Sequence, residues 1–257
     1  MKFNTKCVHG SGKPDSTGAI SPAIYMSSTF THPGLGETTG FQYTRESNPT
    51  RDRLETLIAG LEEGTDAIAF SSGMAAVDAV FLFSPGDHVI LGDDLYGGSI
   101  RLFTNIYEKN GVEFTYVGTS DLDAVQAAFK PNTKAVYIET PTNPMMEITD
   151  VRALSKMAHD RNALVIVDNT FLSPYFQKPL HLGADIVVHS GTKFIGGHHD
   201  VISGFTIVKD DELAAQLRLI YKTVGACLSA FDSWLVIRGI KTLALRMEQH
   251  QKNAIAL

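Results

Sequence analysis

The sequence predicts an α/β fold built on a mainly parallel sheet with helices on both faces. Two observations carry this. From about residue 50 onward, apolar strand-sized runs alternate with helical patterns, and such alternation gives parallel strands joined by helical crossovers. The apolar runs also end in small polar clusters, and sheets of this kind hold ligands at the carboxyl ends of their strands.

Residues 1–50 stand apart, rich in Gly, Ser, Thr and Pro with little periodicity; Ser27-Ser28-Thr29-Phe30 is the candidate for a short extended piece. They read as an arm laid over a surface and not as a domain. A helix is expected to start near Asn48-Pro49-Thr50, with Leu54, Leu57, Ile58 and Leu61 at helical spacing. Candidate strands follow at Asp66–Phe70, Asp87–Leu91, Val112–Val117, Ala135–Glu139, Leu164–Val167, Ile186–His189 and Gly204–Val208. Helical patterns lie between them at Met74–Phe83, Gly98–Lys109, Leu122–Phe129 and Val151–His159. Trp234 to Leu257 reads as one long helix without a stop signal. It is expected to lead into a second, smaller domain. The division is therefore an arm (1–50), a large domain (51–245) and the start of a linker helix (246–257).

Composition narrows the function. The chain has 257 residues, 44% of them hydrophobic, and a formal net charge of -6. No basic run offers a nucleic-acid footprint. The apolar runs are too short for a membrane span, and Met1–Lys6 lacks an apolar signal core, so the cytoplasm is the expected compartment. Cys7 and Cys227 fit neither a disulfide framework nor a zinc pattern. His198-His199-Asp200 with His189 is not a metal set, because adjacent histidines cannot share one helix face and no Cys or Glu completes it.

Lys193 is the most informative residue. It follows the apolar run Ala184-Asp185-Ile186-Val187-Val188 in the stretch His189-Ser190-Gly191-Thr192-Lys193. A lysine at a buried strand's end, with the Ser190 and Thr192 hydroxyls just before it, can form a Schiff base with a phosphorylated aldehyde while the hydroxyls bind the phosphate. That combination points to pyridoxal 5'-phosphate (PLP). The glycines that follow lie on the wrong side of the lysine for a P-loop.

Five further clusters fit the same cofactor. Phe70-Ser71-Ser72-Gly73-Met74 runs from strand through a Gly turn into a helix, a phosphate seat or plain structure. Asp168, after Leu164–Val167, can face a pyridine nitrogen and keep it protonated, or cap a turn. Asn143, held between Pro141 and Pro144, can hydrogen-bond the cofactor's phenolic oxygen or form an Asx turn. Tyr96, followed by Gly97 and Gly98, can stack on a planar ring or act as an acid/base. In the arm, Tyr43 and Arg45 alternate on what reads as an extended piece, so both side chains point the same way. Arg45 suits a phosphate fork, and the pair can reach a neighbouring subunit.

Together these motifs resemble the Cys/Met-metabolism PLP enzymes, among them the cystathionine γ-synthases, the cystathionine γ- and β-lyases, the methionine γ-lyases and the O-acetylhomoserine sulfhydrylases. The resemblance runs from His9-Gly10 to Gly239-Ile240-Lys241-Thr242-Leu243. It implies the fold-type I architecture, a seven-stranded mostly parallel sheet, and a homotetramer of catalytic dimers. It implies Lys193 as Schiff-base lysine and proton shuttle, and Ser190, Thr192, Gly73 and Met74 as the phosphate site. Tyr43 and Arg45 become contacts lent by the adjacent subunit. Asp168 becomes the ring-nitrogen partner, Tyr96 the stacking and catalytic tyrosine, and Asn143 the oxygen contact.

The resemblance also implies a sulfur amino-acid substrate and a C–S lyase activity. Its alternatives are γ-replacement on an activated homoserine and an inactive PLP-binding fragment, since the Arg that grips the substrate α-carboxylate is expected beyond Leu257. Gly98 stands where methionine γ-lyases typically carry Cys. Glu46 follows Arg45 where γ-synthases using succinyl esters often carry Arg; its charge repels such an ester and attracts the distal ammonium of cystathionine. Arg101 supplies a positive charge from another side.

Overall fold

The computed structural model describes residues 1–12, 14 and 16–257. Seven strands form one sheet: β1 (Asp66–Phe70), β2 (His88–Gly92), β3 (Glu113–Val117), β4 (Thr133–Glu139), β5 (Leu164–Asp168), β6 (Ile186–Ser190) and β7 (Gly204–Val208). Their order across the sheet is β1-β7-β6-β5-β4-β2-β3. All pairings are parallel except those of β7, which runs antiparallel to both β1 and β6. The expected strands are all present, with ends moved by one or two residues; Asp168 and Ser190 are the last residues of their strands rather than the first of their loops.

The helices are α1 (Phe3–His9), α2 (Pro49–Glu62), α3 (Gly73–Ala79), α4 (Gly97–Leu102), α5 (Leu122–Ala128), α6 (Val151–His159), α7 (Ser173–Phe176), α8 (Pro179–Leu182), α9 (Asp211–Val224), α10 (Ala230–Ile240) and α11 (Leu243–Ala256). Several start on a side-chain cap. Asn48, Ser72, Asp121, Asp150, Asp210 and Ser229 each accept a hydrogen bond from an N–H in the first turn that follows.

The continuous apolar strands are buried on both faces. Val136, Val165, Val187 and Ile207 face one core, with Leu54, Leu57 and Leu61 of α2, Leu154 of α6 and Val236 of α10. Tyr137, Ile166, Ile186 and Val188 face the other, with Ala76 and Val77 of α3 and Leu217 and Tyr221 of α9. The period of two in each strand thus decides which polar end-residue faces which layer.

Five expectations are corrected. The arm is not wholly irregular: Phe3–His9 is helical, with Cys7 buried and Lys6 Nζ donating to Gly60 O (3.0 Å). A seven-residue helix is too short to stand alone, so packing creates it and local pattern does not announce it. The long C-terminal helix is broken between Ile240 and Leu243. There Thr242 Oγ1 and N–H both turn back to Gly239 O, at 3.1 and 3.2 Å. Tyr43 and Arg45 do not lie on one extended piece. Tyr43 bridges Thr29, but the chain then turns, with Glu46 N–H donating to Tyr43 O (2.9 Å). The Arg45 guanidinium lies over the Tyr43 ring, 5.4 Å from its centroid, and Nη1 donates to Lys222 O on α9. The pattern Gly98–Lys109 is α4 followed by a wider π-turn, Phe103–Tyr107, and α3 stops at Ala79 rather than Phe83.

Candidate active site

The carboxyl ends of β1, β2, β4, β5 and β6 converge, and their polar residues touch in a closed circuit. It begins at Gly73, the first residue of α3. A Cβ on Gly73 would stand 2.8 Å from Ser190 Cβ and 2.9 Å from its Oγ, so only glycine lets α3 meet the end of β6 this closely. Behind it, a Cβ on Gly204 would lie 2.1 Å from Ser72 O, so the same turn is pressed onto β7. Ser190 N–H donates to Thr170 Oγ1 (2.8 Å), and Thr170 N–H donates to Asp168 Oδ1 (2.9 Å).

Asp168 is in register with Glu139 on β4. Glu139 Oε2 accepts the Tyr96 N–H (2.9 Å) at the start of α4. The Tyr96 ring lies against Gly98, where a Cβ would be 2.4 Å from Cε1 of that ring and 2.9 Å from Met74 Sδ. Met74 belongs to α3, and the circuit closes. Lys193 joins it through Ser190, whose carbonyl accepts the Lys193 N–H (3.3 Å).

The Lys193 turn is held from outside. Gly196 N–H donates to Gly191 O and Gly197 N–H to Lys193 O, both 2.8 Å. Arg246 of α11 then donates through Nη1 to Phe194 O (2.6 Å), through Nη2 to Gly239 O (3.0 Å) and through Nε to Thr242 Oγ1 (3.0 Å). Gly197 has φ +70° and carries the guanidinium where a side chain would be. Thr192 Oγ1 both donates to Ser203 O (3.3 Å) and accepts from Ser203 N (3.1 Å), which anchors the far end of the same loop.

The acids in this ring are electrostatically stressed. Asp168 is 8% exposed, and burial raises its carboxyl above the ordinary range despite the Thr170 donors and nearby His189. Glu139 is pushed up to about 7, by burial first and then by the charge of Asp168. The Tyr137 hydroxyl faces the same spot; it is buried with no partner at hydrogen-bonding geometry, and burial and the two carboxylates raise its pKa well above normal.

These features fit PLP. A buried carboxylate with a raised pKa suits a cationic ring nitrogen, and Tyr96, 49% exposed, leaves a ring face for stacking. Gly73 and Ser190 lie together at the first turn of α3, whose N–H groups could receive a phosphate. Asn143 is exposed on the loop after β4. Tyr43 and Arg45 are not brought to Lys193 within this chain; both are exposed, with Arg45 against α9. Sequence reading missed Glu139, Thr170 and Arg246. Glu139 carried a signal, an acid ending an apolar strand just as Asp168 does. Thr170 and Arg246 carried none, because their partners are set by tertiary structure. Among the described residues no cluster of His, Cys, Asp and Glu could hold a metal, and no helix is long and apolar enough to cross a membrane.

Comparison with known proteins agrees with this geometry. A family model described as "Cys/Met metabolism PLP-dependent enzyme" matches residues 4–257. Cystathionine gamma-lyase of Bacillus subtilis (strain 168) is 50% identical over 256 residues, covering 99% of this chain and 68% of that protein. Cystathionine gamma-synthase of Haemophilus influenzae is 50% identical over 250 residues, covering 96% of this chain and 68% of that protein. The crystal structure of cystathionine gamma-lyase from Lactobacillus plantarum complexed with L-serine superposes with a TM-score of 0.97 at 49% identity, covering 100% of this chain and 68% of that one.

Proposed function

The chain belongs to the Cys/Met metabolism PLP-dependent enzyme family, with PLP as its cofactor, and on that premise we propose that it is a carbon–sulfur lyase of transsulfuration that cleaves cystathionine or a related sulfur amino acid. The observation that carries the reading is the circuit linking Gly73, Ser190, Asp168, Glu139, Tyr96 and Met74, with Lys193 attached to it.

When bound, the cofactor supplies an electron sink for the charge left by α-proton removal. Lys193 Nζ would hold the cofactor's aldehyde carbon and is the group that would take the substrate's α-proton. Asp168 holds a proton on the ring nitrogen, and its burial keeps that contact strong. Tyr96 stacks on the ring and offers its hydroxyl to the departing thiol. Ser190, Thr192 and the backbone N–H groups of Gly73 and Met74 receive the phosphate, and Asn143 orients the phenolic oxygen. Thr192 can do so only by turning its O–H from Ser203 O to the phosphate while still accepting the Ser203 N–H.

Two local features favour lyase chemistry on cystathionine. Glu46 places a negative charge beside Arg45, which suits a distal ammonium better than a succinyl ester. Gly98 cannot become Cys without moving Tyr96, which argues against a methionine γ-lyase site. Tyr43 and Arg45 are exposed on the arm, which supports a homo-oligomer in which they complete a neighbour's phosphate site. Cys7 and Cys227 are both free thiols, in keeping with the reducing cytoplasm. Supplying PLP and cystathionine alone tests the activity. Release of a keto acid and a thiol supports cleavage, whereas turnover only with an activated homoserine and a thiol would make γ-replacement the reaction.

A further inference from the structure

Tyr96, Asn143 and Asp168 come from three strand ends, and one side chain lies at their junction. Glu139 ends β4, in register with Asp168 on β5. Register partners on neighbouring strands share a face, so the two carboxyls lie side by side, 7% and 8% exposed. Glu139 Oε2 accepts the Tyr96 N–H at 2.9 Å, and the Asn143 amide lies near enough to favour its ionised form. One carboxylate therefore ties down the backbone of the stacking ring and sits beside that of the oxygen contact.

A second acid beside Asp168 is costly if it only fills space. Two neighbouring carboxylates in a dry site do not both ionise readily. The charges that bear on Glu139 are acidic, Asp168 from β5 and Asp94 from the segment between β2 and α4, with the neutral Tyr137 hydroxyl on its own strand. Opposing them are the Tyr96 and Asn143 amides. We propose that Glu139 is a positioning residue of the cofactor site, anchoring Tyr96 beside Asn143 and holding the proton that lets Asp168 remain the ionised member of the pair. This rests on Asp168 being the ring-nitrogen partner. Below about pH 7 Glu139 keeps its proton and adds no second charge beside Asp168. As pH rises through about 7, Glu139 ionises and a second charge develops beside the cofactor. That charge favours a proton on the nitrogen joining Lys193 to PLP.

The test compares wild type, Glu139→Gln and Glu139→Ala, each with PLP. The readouts are PLP affinity, by fluorescence, and the midpoint of the visible-absorbance titration. Gln still accepts the Tyr96 N–H through its amide oxygen. It is expected to keep affinity within about threefold while lowering the midpoint by about half a pH unit or more, since no second charge develops. Ala removes the acceptor and is expected to weaken PLP by about tenfold or more. If Ala does not fold, Glu139→Asp replaces it, with weakened affinity expected from its shorter reach. An unchanged midpoint in Gln, or wild-type affinity in Ala or its replacement, overturns the proposal. A wild type that shows no visible band with PLP would instead refute the cofactor reading beneath it.

Discussion

The ring of Tyr96 occupies the space in which a side chain on Gly98 would begin: a Cβ there would stand 2.4 Å from Cε1 and 2.9 Å from Met74 Sδ. The glycine is thus the seat of the ring. Gly98→Ala must push Tyr96 or Met74 aside, and forced overpacking costs about 1–3 kcal/mol. PLP affinity and kcat/KM are expected to fall by about 5- to 150-fold, with the fold unchanged by circular dichroism.

Lys193→Ala removes both the anchor and the base. Turnover is expected to vanish, and borohydride treatment should no longer leave a pyridoxyl group on the chain. Asp168→Asn keeps the shape but loses the charge at the ring nitrogen. Its α-proton exchange in deuterated water should slow by about 10²- to 10⁴-fold, the usual scale for losing a positioned proton-handling group. An unchanged exchange rate would remove Asp168 from that role.

Glu139 also predicts how the cofactor-free protein responds to pH. Its carboxyl is raised from 4.5 to about 7 in the folded state. Between those values the folded form binds more protons than the unfolded one, so stability falls as pH rises through that window. Asp168 is raised as well and acts in the same direction. Urea midpoints should drop from pH 4.5 to 7, by the equivalent of about 1–3 kcal/mol. The Glu139→Gln protein should show a shallower slope.

On the opposite face of the sheet ends, Glu62 of α2 takes hydrogen bonds from His189 at the end of β6 and from Asn169 just after β5. Its Oε1 lies 2.5 Å from His189 Nε2 and 2.8 Å from Asn169 Nδ2, with Glu62, His189 and Asn169 all 0% exposed. Glu62→Ala strands both donors in a dry interior. Removing one partner of such a pair costs about 3–5 kcal/mol, and equilibrium unfolding should register it.

Arg246 gives a subtler case. It bonds the carbonyl directly after Lys193 and lies over Gly197. Arg246→Ala is expected to leave the sheet intact but loosen the lysine turn. Faster hydrogen exchange in residues 194–197 and weaker PLP binding would both follow.

The sheet was readable because its strands are apolar runs that end abruptly in polar residues, and that same abruptness marked Lys193, Asp168 and Asn143. Direction was not readable. Nothing in Gly204–Val208 distinguishes a parallel strand from an antiparallel one, since burial on both faces erases the alternation that would mark it. The helix Phe3–His9 was hidden because Cys7 is its sole residue in the core. The break after Ile240 lies where Gly239 packs against Gly196 O, a contact between residues 43 positions apart that local pattern does not announce. Glu139 was visible as a letter but not as a function, because its importance lies in being the register partner of Asp168.

The position of β7 has a consequence for biosynthesis. β1 is an edge strand whose sole ladder partner is β7, with Asp66 opposite Val208. On the ribosome, β1 emerges early and waits unpaired until β7 follows, while β2 to β6 can begin to associate. Distant pairings of this kind form late. Gly73 and Ser190 therefore meet only after β7 has been made, and the cofactor is captured by an assembled sheet rather than templating its growth.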